Sequence, residues 1–158
     1  MRQPTPHPAL RKLDVFVGEW DLWAADHSVG PIRTEFAWLE NGAFLVQRAD
    51  VGPETSLPGE WGPNAPFPTV ALIGYDDTAD EFTVLYADGR SVARVYRGTM
   101  TDRTWHQWRT APGFHQRLTV TATPDGTTIE GRWEQSADGE RWTTDFDVTY
   151  VRTGKPRG

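Results

Sequence analysis

Three arginines fall where an alternating strand pattern puts apolar side chains. Arg48 continues the parity of Phe44 and Val46, Arg94 stands between Val92 and Tyr96, and Arg109 continues the parity of Trp105. Gln107 and Gln116 belong to the same interior series. A guanidinium taken out of water without a partner is costly, so an inward arginine calls for an anion. Glu40, on the Trp38 parity, is one source within the chain. An acidic ligand is another, because the arginine fork matches a carboxylate. Arg94, in mid-strand, is the leading pocket residue with Arg48 as its partner, whereas Arg109, at a strand end, reads as reaching solvent. Around this pair Tyr86, Tyr96 and Gln116 would orient a ligand, and Trp38, Phe44 and Trp133 would form its apolar walls.

Other chemistries find little support. The chain has no cysteine, which excludes disulfides, thiolate metal sites and cysteine nucleophiles. No Gly-x-Ser-x-Gly elbow and no glycine-rich phosphate loop occurs. His7, His27, His106 and His115 show no paired metal spacing, so no metal site is expected. No cofactor is expected either, and the one alternative is haem ligated by His115. Asp145 and Asp147 share the polar parity of the last strand and are expected to face solvent.

The elements that must position these residues follow from rhythm. Ten short alternating segments, at 19–27, 32–40, 43–50, 69–75, 81–87, 92–99, 103–109, 115–122, 128–136 and 141–152, are separated by turn signals such as Asn41-Gly42, Asp125-Gly126 and Asp138-Gly139. Short links make sequence neighbours pair, so the expectation is an all-β, ten-stranded antiparallel up-and-down barrel. Leu10, Leu13 and Val17 mark a short amphipathic helix over 9–17 that caps one end. One domain spans 9–152, with a loose arm at 1–8 and a tail at 153–158. Residues 51–68, with five prolines and no strand period, read as a lid carrying Trp61 and Phe67. In the last strand Trp142, Thr144, Phe146, Val148 and Tyr150 are expected inside. Strands 69–75 and 81–87 are apolar on both faces, which predicts either a homodimer through them or cover by the helix.

The 158-residue chain carries a net charge of −6. That balance argues against nucleic acid and against anionic membranes. No apolar run is long enough for a spanning helix and the N-terminus lacks a signal-peptide core, so a cytoplasmic protein is expected.

Several segments carry a resemblance: Val17-Gly18-Glu19-Trp20-Asp21, the run from Phe36 to Arg48, Ile73-Gly74-Tyr75-Asp76-Asp77, Arg94-Val95-Tyr96, Pro112-Gly113-Phe114-His115-Gln116-Arg117 and Gly131-Arg132-Trp133-Glu134. Together they resemble a bacterial family of uncharacterised calycin-like barrels, over roughly residues 9 to 152. Its distant relatives include lipocalins, fatty-acid-binding proteins and nitrobindins. Arg94-Val95-Tyr96 is similar to the Arg-x-Tyr that helps clamp a fatty-acid carboxylate. The resemblance implies a barrel around a small-molecule ligand. Non-covalent binding of a small, mostly apolar molecule in the barrel interior, with or without an acidic group, is the leading expectation. An enzyme on the same scaffold, either a haem isomerase or a cyclase-type shape catalyst, is the alternative. A fully packed barrel serving as an interaction module is a third.

Overall fold

The computed structural model describes residues 5–154. Ten antiparallel strands close into a barrel in which every strand pairs with its sequence neighbours and β1 seals against β10. They are β1 (Gly18–Ala24), β2 (Val29–Leu39), β3 (Phe44–Ser56), β4 (Thr69–Asp76), β5 (Glu81–Asp88), β6 (Ala93–Thr101), β7 (Thr104–Arg109), β8 (His115–Ala122), β9 (Thr128–Ser136) and β10 (Thr143–Gly154). Each expected segment corresponds to one of them. The arm and tail lie partly outside the described residues, and β10 takes in 153 and 154.

The N-terminal helix is a 3-10 helix, Pro8–Phe16. Its three-residue turn puts Leu10, Leu13 and Phe16 on one buried side, so Phe16 takes the inward place expected of Val17. His7 caps it, accepting from the Ala9 amide at 3.1 Å. The helix plugs one end of the barrel. Phe16 meets Phe36 with ring centres 5.9 Å apart, and its carbonyl accepts from Trp20 Nε1 at 2.9 Å. Arg152 locks the plug in place, stacking 4.1 Å from the Trp20 ring and donating to the Val17 and Val15 carbonyls at 2.8 and 3.1 Å. Phe82 contacts both Tyr75 and Trp105 at 5.3 Å. Trp105 lies so close to Gly98 that a Cβ there would sit 2.6 Å from the indole. This end of the barrel is solid.

Two strands face differently from the expectation. On β3 the inward series is Leu45, Gln47 and Ala49, while Arg48 is exposed and Phe44 half-buried. Val46 is only 1% exposed but stands apart from the main core. Both parities of this strand are apolar enough to pass as the core face, and the barrel resolves the tie by turning the charged series outward. On β10 a bulge between Thr144 and Phe146 breaks the alternation. Phe146, Val148 and Tyr150 still face inward, but Trp142 lies outside, with the Arg117 guanidinium 4.1 Å from its ring.

The outer face of β4–β6 carries an apolar stripe. Val70, Leu85 and Val95 are 40%, 49% and 57% exposed, and Leu85 stands directly opposite Val95. The helix, plugging the end, does not cover this stripe. Among the described residues no helix is long and apolar enough to cross a membrane.

Candidate functional site

Strand direction alternates, so the turns after β1, β3, β5, β7 and β9 gather at the end opposite the helix. That end is hollow: it holds a cavity of about 550 Å³, within the range of roughly 300–1,000 Å³ typical of small-molecule sites. The fully packed barrel is therefore not what the chain forms.

The connection from β3 to β4 lies across the mouth. It is shorter than the proline content suggests, because 51–56 pair irregularly as the end of β3, past a bulge opposite Gly30 and Ile32. From Leu57 to Pro68 it forms a flap whose residues Glu60, Trp61, Asn64, Pro66 and Phe67 border the cavity. The flap is tied at one end, where the Gly89 amide donates to the Pro68 carbonyl at 2.9 Å. Only glycine fits there, since a Cβ would lie 2.5 Å from the Phe67 carbonyl oxygen. Along it Leu57, Trp61 and Phe67 pack against the core, and Trp61 approaches Phe146 edge-on with 5.2 Å between ring centres.

One wall of the cavity is built from β6, β8 and β9. Arg94 donates to the Gln116 carboxamide oxygen at 3.2 Å and lies 5.3 Å from the Phe114 ring. The Tyr96 hydroxyl donates to that same oxygen at 2.9 Å, and its ring meets Trp133 at 5.7 Å. Burial raises the Tyr96 phenol above its ordinary value, with Arg94 opposing. Beside them Tyr86 donates to Asp88 at 2.5 Å, and Arg90 bridges to the same carboxylate at 2.7 Å. Burial, and then Asp88, push the Tyr86 phenol up. Burial would also raise Asp88, but its bonds from Arg90 and Tyr86 outweigh this and lower it to about 2. Arg90 is thus committed to Asp88, and Arg94 has no carboxylate partner among the described residues.

The structure brings Tyr86, Arg94, Tyr96, Gln116 and Trp133 to one cavity, with Trp61 and Phe67 over it. It removes three expected members. Arg48 points out of the barrel from β3 and cannot join Arg94, and Phe44 follows it on the same outward parity. Trp38 has the inward parity but sits at the plugged end, where its Nε1 donates to Asp14 at 2.9 Å and Arg11 covers its ring. Glu40 is exposed in the turn before β3, away from the cavity. Arg109 ends β7 beside Gln116, as a rim residue.

Residues outside the expected set also line the cavity. The bulge in β10 places Asp145 at the rim, where it is exposed as expected but partly desolvated, which raises its carboxyl above the ordinary value; it has no partner among the described residues. Gln47 comes in with the corrected parity of β3 and donates to the Tyr150 hydroxyl at 3.5 Å. Nothing in the alternation signals Asp145, since a bulge has no periodic trace.

No histidine is among the residues bordering the cavity. His115 accepts from the Ala111 amide at 3.2 Å and lines an outer recess of about 560 Å³ between β7–β8 and the 137–142 turn. The interior therefore does not fit a haem ligated by His115. The recess also contains Arg117, already satisfied by Glu134 at 3.0 Å and stacked on Trp142. Compared with known proteins, the chain matches no family model and no curated protein.

Proposed function

We propose that the barrel binds, without covalent chemistry, a small and mostly apolar molecule carrying an acidic group, admitted at the flap end. The observation that supports this most is Arg94: a guanidinium in the cavity wall, held in place by Gln116 and Phe114, with no carboxylate of its own. An anion there would complete its hydrogen bonding, and Trp133, Phe146 and Val148 would cover the apolar remainder. Of the two arginines that line the cavity, Arg90 is held by Asp88, which leaves Arg94 as the clamp, while Arg48 is outside. Titration calorimetry with dodecanoate tests it. Arg94→Met is expected to weaken binding about tenfold or more, in keeping with a lost charge-assisted hydrogen bond, while Arg48→Met leaves affinity unchanged. Equal affinity of Arg94→Met and the parent protein would remove the anion from this reading.

A second reading has its own observation. Asp145 is an exposed carboxylate at the cavity rim with no partner among the described residues, its carboxyl raised above the ordinary value by partial desolvation. Such a group can take a proton from a bound substrate, which is what an enzyme on this scaffold would need.

A further inference from the structure

The cavity has polar groups at two separate places. Near the mouth stands Arg94. Toward the plugged end, across β4 and β5 from it on one side and across β7, β8 and β9 from it on the other, stand Gln47 on β3 and Tyr150 on β10 respectively. These two strands are not neighbours, so the contact spans the barrel interior and forms part of the cavity floor, with the Phe36 ring 6.3 Å from Tyr150 on the plugged side. Apolar side chains, among them Val84, Ala71 and Leu118, line the space between floor and rim.

The floor is under-bonded. Gln47 Nε2 lies 3.5 Å from the Tyr150 hydroxyl, at the outer limit of a hydrogen bond. Tyr150 only accepts in that contact, and its own hydrogen has no acceptor among the described residues. The Gln47 carboxamide oxygen has no donor. Burial pushes the Tyr150 phenol up to about 12, so it keeps its proton and remains a donor. It lies deep among protein atoms yet keeps accessible surface, and it borders the cavity. A ligand ending in a bare methyl group would strand these groups against hydrocarbon. A site built to bond an oxygen discriminates against the analogue that lacks it.

We propose that the ligand is oxygenated at both ends, with its acid beside Arg94 at the rim and a hydroxyl or carbonyl oxygen on Tyr150 and Gln47 at the floor. This rests on the acid-binding reading above and narrows it from fatty-acid-like molecules to chains or ring systems with a second oxygen far from the acid. The test compares dodecanoate with ω-hydroxydodecanoate by titration calorimetry on the full chain. The hydroxy acid is expected to bind about tenfold or more tightly, the cost of leaving buried polar groups unpaired. Tyr150→Phe should abolish that preference, while Arg94→Met should weaken both acids alike. If thermal melting shows Tyr150→Phe unfolded, Gln47→Leu takes its place. Equal affinities in the parent protein, or tighter binding of dodecanoate, would mean that water satisfies the floor and would overturn the inference while leaving the acid-binding reading standing. If neither acid binds, that reading fails and the inference with it.

Discussion

The two ends of this barrel are made from the same ten strands and do opposite things. At the plugged end Phe16, Trp20, Phe36, Phe82 and Trp105 fill the interior, and Arg152 ties the helix to β10. At the other end tyrosines, glutamines and Arg94, which has no carboxylate partner among the described residues, surround a void under a flap that packs on the core through Leu57, Trp61 and Phe67. Packing at the first end closes the fold, and leaving the second unpacked makes room for a ligand. The lesson is that the number of tryptophans says little about whether a barrel is full; their position along the strands decides it.

The difference can be broken first where it is strongest. Trp20→Ala at the plugged end should cost about 3–5 kcal/mol by urea denaturation, as expected for a large buried aromatic. Trp133→Ala at the open end should cost clearly less, because one face of that ring already borders a void, yet it should weaken dodecanoate binding. Similar stability losses would mean that the two ends are packed alike. A smaller effect comes from the flap. Trp61→Ala should leave stability within about 1 kcal/mol while speeding dodecanoate dissociation severalfold in stopped flow; an unchanged rate would deny the flap any gating.

The smallest effect sharpens the electrostatics of the open end. Asp145 has a folded pKa raised by burial, so the stability it contributes is present below its ordinary value of 3.8 and is lost as pH rises through the folded value. At neutral pH the ionised carboxylate is a cost. Asp145→Asn should therefore melt slightly higher than the parent near neutrality, with the gap closing in acid. A variant that melts lower at neutral pH would show that Asp145 has a stabilising partner.

Much of this architecture was legible in the residues. Alternation and turn chemistry mark all ten strands, because a half-buried strand must present one apolar face and a tight turn must tolerate positive φ, as Asn41, Gly42, Gly126 and Gly139 do. The inward places of Arg94, Tyr96, Gln116 and Trp133 were legible too, from the apolar parity of their strands, and that of Tyr86 from its shared parity with Phe82 and Val84, although β5 is apolar on both faces. Arg48 and Phe44 were not, because β3 is apolar on both parities. Trp38 has the inward parity, but alternation says nothing of depth along the barrel, and depth puts it under the helix.

By itself, then, the sequence determined which segments are strands, their up-and-down order and the presence of an inward arginine. These are local properties, set by side-chain period and by the φ preferences of turn residues. Only the tertiary structure decided which end is hollow, that a bulge turns Asp145 to the rim and that Gln47 meets Tyr150. Those depend on how a tilted sheet closes, which brings β3 and β10 within reach across the interior although 103 residues separate the pair.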